Sequence, residues 1–180
     1  MLQIAISGTE QWDEVHQEFV YTKEQTLTLE HSLVSISKWE AKWHKSFLSK
    51  KEKTHEETLD YIKCMTLTPN VDPEVYNCLT PDIYEQINNY IAAPMTATVF
   101  SNEKGGPANR EVVTSELIYY WMIALNIPFE CQKWHLNRLL TLIRVCNIKN
   151  APPKKMGKRA LMSRNASLNA ARRQSLNTRG

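Results

Sequence analysis

Cys131 and His135 stand four residues apart, one helical turn, which suits a thiol with its general base or two ligands of a metal ion. No second pair of Cys or His at ligand spacing accompanies them, and nothing in the sequence orients a catalytic base. The pair therefore reads as structural, with one face partly buried. Cys64, Cys78 and Cys146 are far apart, and no C-x-x-C pair exists, so all four cysteines read as small buried hydrophobes with free thiols. His16, His31, His44 and His55 lie in polar segments and read as solvated or capping residues. Glu56-Glu57 falls in a helix's first turn, where the macrodipole accounts for both acids. Gly105-Gly106 is flanked by neither G-x-x-x-x-G-K-[ST] nor G-x-G-x-x-G, so no phosphate cradle is expected there. The expectation is a protein that is not an enzyme, with no catalytic residue, no cofactor and no metal.

Binding chemistry is better represented. Residues 151–180 carry eight basic side chains and no acid, which leaves 14 of the 22 basic residues against all 19 acids in residues 1–150. A body near −5 thus carries a tail near +8, and such an arm acts on something anionic outside its own core. Trp39 and Trp43, four apart among Lys38, Lys42, Lys45, Lys50 and Lys51, admit two readings. One is an exposed aromatic pair for a protein partner or nucleic-acid bases; the other is packing on a small sheet. The candidate partner-binding residues are Trp39 and Trp43 with Lys154, Lys155, Lys158, Arg159, Leu161, Arg164, Leu168, Arg172 and Arg173 of the tail. Nucleic acid is the lesser alternative, because no aromatic residue follows Trp134 to stack on bases.

The elements that must position these residues follow from periodicity. Ile4-Ala5-Ile6, Phe19-Val20-Tyr21 and the alternating run Gln25 to Glu30 predict two or three antiparallel strands, with Leu27 and Leu29 on one face. From Leu33 the period becomes helical, with Ser32 as cap and an end near Phe47-Leu48. Thr54-His55-Glu56-Glu57 is a capping box, and that helix stops before Pro69. Pro73 to Leu79 reads as a helical turn, and Thr80-Pro81 opens a helix that runs to the break at Pro94. Thr96 to Phe100 is a candidate short β segment, and Ser101 to Arg110 a mobile loop. Val112 to Leu125 and Trp134 to Val145 predict a helical hairpin at the centre of the domain. Pro152-Pro153 then bars continuation, and Lys154 to Gly180 reads as disordered or weakly helical, with Leu161, Leu168 and Leu176 near heptad spacing.

The fold expected is α+β and mainly α-helical: a small N-terminal antiparallel sheet packed on a helical bundle over residues 1–150, then a basic tail over 151–180. A chain of 180 residues with 42% apolar content is long enough for that partition. Neither a signal peptide nor a run of about 20 apolar residues is present, so the expected location is the cytoplasm, away from membranes.

The strings Glu116-Leu117-Ile118-Tyr119-Tyr120-Trp121-Met122-Ile123-Ala124-Leu125-Asn126-Ile127-Pro128-Phe129-Glu130 and Trp134 to Leu140 resemble the tail assembly chaperones of tailed bacteriophages. His31 to Glu40 and the basic end Arg164 to Arg173 share the resemblance, which covers most of residues 25–180. It implies a non-enzymatic protein of virion morphogenesis that binds the tape measure protein in the host cytoplasm and keeps it soluble while the tail tube polymerises. It further implies the short form of a pair whose longer member arises by frameshifting. No active residues carry over, and self-association is compatible with the assignment. The strand-rich start departs from a purely helical expectation and leaves open a virion component, such as a neck or tail-completion protein.

Overall fold

In the first thirty residues, apolar side chains alternate in two segments that are not adjacent in sequence, and those segments pair. The computed structural model describes residues 1–8, 10–13, 17–21, 24–100, 112–152 and 157–177. Strand β1 (Leu2–Ile6) lies antiparallel to β4 (Gln25–Leu29), and β2 (Glu10–Asp13) lies antiparallel to β3 (Glu18–Tyr21). In both ladders the numbers of opposed residues add to 31, from Leu2↔Leu29 through Asp13↔Glu18. The two ladders share one register, with three residues of chain between them on each side. Ile4, Ile6, Leu27 and Leu29 are buried on the face that meets the helices, as period-two alternation requires. The other edge of β4 is also engaged. Glu30 N–H donates to Met65 O (2.9 Å) and Leu67 N–H to Thr28 O (2.8 Å), so the chain leaving the second helix extends the sheet.

Helix α1 (Leu33–Trp43) begins with a capping box in which Ser32 and Ser35 satisfy each other's backbone N–H groups. It ends sooner than the pattern predicts. His44 adopts the left-handed conformation (φ 52°) and caps the helix, which turns the chain so that Phe47 folds back into the core. Helix α2 (His55–Met65) starts at the Thr54/Glu57 capping box and buries Tyr61, Ile62 and Met65. A 3-10 turn (Pro73–Cys78) precedes α3 (Pro81–Ala92), which has Thr80 as its cap and Pro81 at its first position.

Thr96 to Phe100 is not a strand. Pro94 lacks the N–H a ladder needs, Met95 has a positive φ (48°), and no strand pairs with the segment among the described residues. The predicted loop at Ser101 to Arg110 lies outside the described residues. Helix α4 spans Ser115–Ala124, so Val112 and Val113 precede it; Thr114 caps its start and the left-handed Asn126 closes its end, with Ile127 N–H donating to Met122 O (2.8 Å). A second 3-10 turn (Phe129–Lys133) leads into α5 (Leu136–Asn150).

The expected α4–α5 hairpin is not the centre of the domain. Helix α1 is the element that both α2 and α4 pack on, and its Leu33, Ile36 and Trp39 are fully buried. Thus the fold is α+β and mainly helical, with a small antiparallel sheet against helices. The chain divides into two units, Met1–Asn147 and Ile148–Gly180. The second contains α6 (Lys158–Leu176), a helix in a stretch read as disordered or weakly helical.

Candidate functional site

A buried polar network ties four elements together where α1 and α5 begin. Leu136 N–H donates to His31 O (2.7 Å), which brings the two histidine rings to 5.0 Å in an edge-to-face arrangement. His135 Nδ1 accepts from Asn137 N–H (3.3 Å), so the ring proton sits on Nε2 and is donated to Tyr90 O (3.0 Å). The Asn137 side chain donates to Ile91 O (2.9 Å) and Ala93 O (2.8 Å), closing the C-terminal end of α3. Tyr90 OH donates to Glu30 Oε1 (2.7 Å), and His31 Nδ1 meets Tyr61 OH at 2.5 Å.

His31 is 2% exposed, which corrects its reading as a solvated or capping residue. Burial, and then the neighbouring His135, hold its pKa down to about 3. Burial lowers His135 too, against the opposing effects of its bond to Tyr90 and the Glu30 carboxylate. Tyr61 and Tyr90 are raised, chiefly by burial.

This network accounts for the Cys131/His135 pair. Burial, followed by Glu130, raises the Cys131 thiol, and both ring nitrogens of His135 are occupied by backbone groups. His135 is therefore not free to act as a base for the thiol. Among the described residues, no three His, Cys, Asp or Glu side chains are placed to hold a metal ion, and none of the four cysteines forms a disulfide.

Trp39 is 1% exposed, and its indole N–H donates to Glu57 O (2.8 Å), which removes it from the partner-binding candidates. Its position on α1 at i+3 from Ile36 puts it on the buried stripe. Trp43 is half-buried against Trp39, with its N–H on Asp60 Oδ2 (2.9 Å) and the ammoniums of Lys42 and Lys45 over its ring. Both tryptophans hydrogen-bond to α2. Lys42 pairs with Asp60, and Lys45 with Glu57, whose carboxyl that hydrogen bond holds below its usual range.

Exposed apolar side chains collect on α4 instead. Ile118 and Met122 are fully buried, yet Tyr120 and Ile123, three residues apart on one face, are 62% and 61% exposed, and Phe129 in the next turn is 53% exposed. Isolated exposed hydrophobes are ordinary, but adjacent large ones on one helix face mark a contact surface. The apolar run of α4 hid this: its sequence is more apolar than its burial requires.

Of the tail candidates, Lys154 and Lys155 lie outside the described residues. Lys158, Arg159, Leu161, Arg164, Leu168, Arg172 and Arg173 lie on α6, where every described side chain is exposed. At 100° per residue, Leu161, Leu168 and Arg172 share one stripe with Lys158 and Arg164 at its two edges, while Arg159 and Arg173 lie off it. The helix thus offers leucines and cations together. Its start explains the weak signal in the sequence: Gly157 provides no side-chain cap, and Lys158 and Arg159 oppose the positive end of the dipole.

The site residue with the least obvious signal is Glu40. Its carboxylate accepts Phe47 N–H through Oε1 (2.8 Å) and Ser115 N–H through Oε2 (2.7 Å), so one acid fixes both the turn after α1 and the start of α4. Position 40 lies seven residues after Leu33 and four after Ile36, on the apolar stripe, and an acid there signals an internal partner.

No protein-family model, curated protein or solved structure matches the chain.

Proposed function

We propose that the protein is a tail assembly chaperone of a tailed bacteriophage, which binds the tape measure protein and keeps it soluble in the host cytoplasm during tail tube assembly. The observation that carries the reading is the uncovered apolar surface of α4 and the turn after it: Tyr120, Ile123 and Phe129. A long helical client exposes apolar stripes of its own, and covering them in water is favourable by about 25 cal/mol per Å². Side chains of this size, presented on a helix whose other face is locked into a core, suit repeated weak contacts with such a stripe. Helix α6 adds a second, cationic contact region, with Leu161 and Leu168 among Lys158 and Arg172. The resemblance of residues 116–130 to the chaperone family coincides with this surface and supports the same reading.

A virion role is the second reading, favoured by the long N-terminal hairpin, an element that a soluble holdase does not require. Among the described residues, no helix is long and apolar enough to cross a membrane.

Co-expression with the tape measure protein tests the proposal. The wild-type chain should hold the client in the supernatant and co-purify with it. The Tyr120→Asp/Ile123→Asp double variant should remain folded by circular dichroism yet leave the client in the pellet, and removal of residues 151–180 should weaken the complex. Client solubility that is the same with and without the chain refutes the reading, and fixed stoichiometry in purified particles selects the virion role.

A further inference from the structure

The loop joining α1 to α2, anchored by the buried Phe47, borders a cleft of about 460 Å³, whose lining includes His44, Lys45, Ser49, Lys51, Lys53 and Glu57. Lys53 is the unusual member. Its side chain is half-buried, and its ammonium lies 4.2 Å from the centroid of the Phe47 ring and 6.0 Å from that of Trp39. Both oxygens of Glu57, whose charge acts on Lys53, are already engaged: Oε1 by the Lys45 ammonium and Oε2 by Thr54 N–H (2.9 Å). Burial lowers the Lys53 pKa, and Glu57 offsets that only in part. A ring face returns less to an ammonium than desolvation without a counter-ion costs it. The remaining lining carboxylate, Glu52, is exposed, and Lys51 adds another exposed ammonium.

We propose that this cleft binds a phosphoryl group of a small molecule, either pyrophosphate or the polyphosphate end of a nucleotide, with Lys53 as its principal contact. Lys51 and the Ser49 hydroxyl supply further donors, and a group with three terminal oxygens uses more of them than a carboxylate does. Ser46 is not counted, since its hydroxyl donates to Val113 O (2.6 Å). The cleft volume falls in the range of small-molecule sites, roughly 300–1,000 Å³. The site is separate from the exposed face of α4, so either reading can fail without the other.

Isothermal titration of the full chain with pyrophosphate, ATP and inorganic phosphate tests the assignment. Lys53→Met keeps an apolar stem over Phe47 and should weaken pyrophosphate binding by about tenfold or more, the scale of one lost charge-assisted contact. Lys149→Ala, which removes an exposed cation outside the cleft, should leave the affinity unchanged. Pyrophosphate should also protect Lys53 from an amine-acylating reagent, read residue by residue by mass spectrometry. ATP binding tighter than pyrophosphate identifies a nucleotide site, and equal affinities identify the polyphosphate moiety as the ligand. Absence of binding, an unchanged affinity in Lys53→Met, or loss of affinity only in Lys149→Ala overturns the proposal.

Discussion

Acid should destabilise this protein well before its carboxylates titrate, and His31 is the residue to test. In the folded chain its ring is buried against Tyr61, Phe47 and His135, with a pKa near 3; an unfolded chain restores about 6.5. The folded pKa lies below the unfolded one, so between these values the unfolded state holds a proton the folded state refuses. Stability is therefore undiminished above pH 6.5 and falls with pH by about 1.4 kcal/mol per unit for this one group. Between pH 6.5 and 5 the loss is about 2 kcal/mol, a large share of the roughly 5–15 kcal/mol typical of a domain. His135, lowered in the same direction, adds to the slope. Guanidinium titrations followed by tryptophan fluorescence report the first unit, because every tryptophan precedes residue 148. His31→Gln, whose amide can still meet Tyr61 OH, should be less stable at pH 7.5 but lose about 1.4 kcal/mol per unit of the wild-type slope below pH 6.5. Equal wild-type stability at pH 7.5 and 5, or an undiminished slope in the variant, would refute the argument.

Two further perturbations probe the scaffold. Glu40→Ala leaves the Phe47 and Ser115 N–H groups without their acceptor and should cost about 2–4 kcal/mol in urea titrations, with Glu40→Gln, which keeps one carbonyl oxygen, losing less. Thr54→Ala removes one half of the α2 capping box and should lower stability by about 1 kcal/mol, a fall of roughly 2–4 °C in the thermal midpoint by scanning calorimetry.

Local signals in the sequence predict local structure well. The caps at Ser32, Thr54 and Thr80, the first-turn Pro81, and the breaks ahead of Pro69 and Pro94 mark helix boundaries through chemistry confined to a few residues, and those boundaries occur. Alternation likewise puts Leu27 and Leu29 on a buried face. What periodicity does not encode is which surface covers a face. Trp39 and Trp43 sit in a lysine-rich helix, yet Asp60 and Glu57 of α2 neutralise Lys42 and Lys45 and close over the rings. The apolar length of α4 suggests a central helix, but burial goes to α1, because α2 and α4 both meet it. His31 looks polar in sequence because its partners, Tyr61 and His135, are 30 and 104 residues away. The candidate contact surface at Tyr120 and Ile123 was legible only as hydrophobicity, not as exposure.

The matched interruption of the hairpin governs which length changes the N-terminal region can absorb. Three residues separate β1 from β2, and three separate β3 from β4. Adding or removing one residue on a single side would offset the outer strands from their partners beyond that point. Equal edits on both sides preserve the pairing, and edits at the tip, between Asp13 and Glu18, leave every opposed pair intact. Homologous chains should accordingly differ in length at the tip or by compensated pairs of changes, and single uncompensated indels should be purged from this stretch.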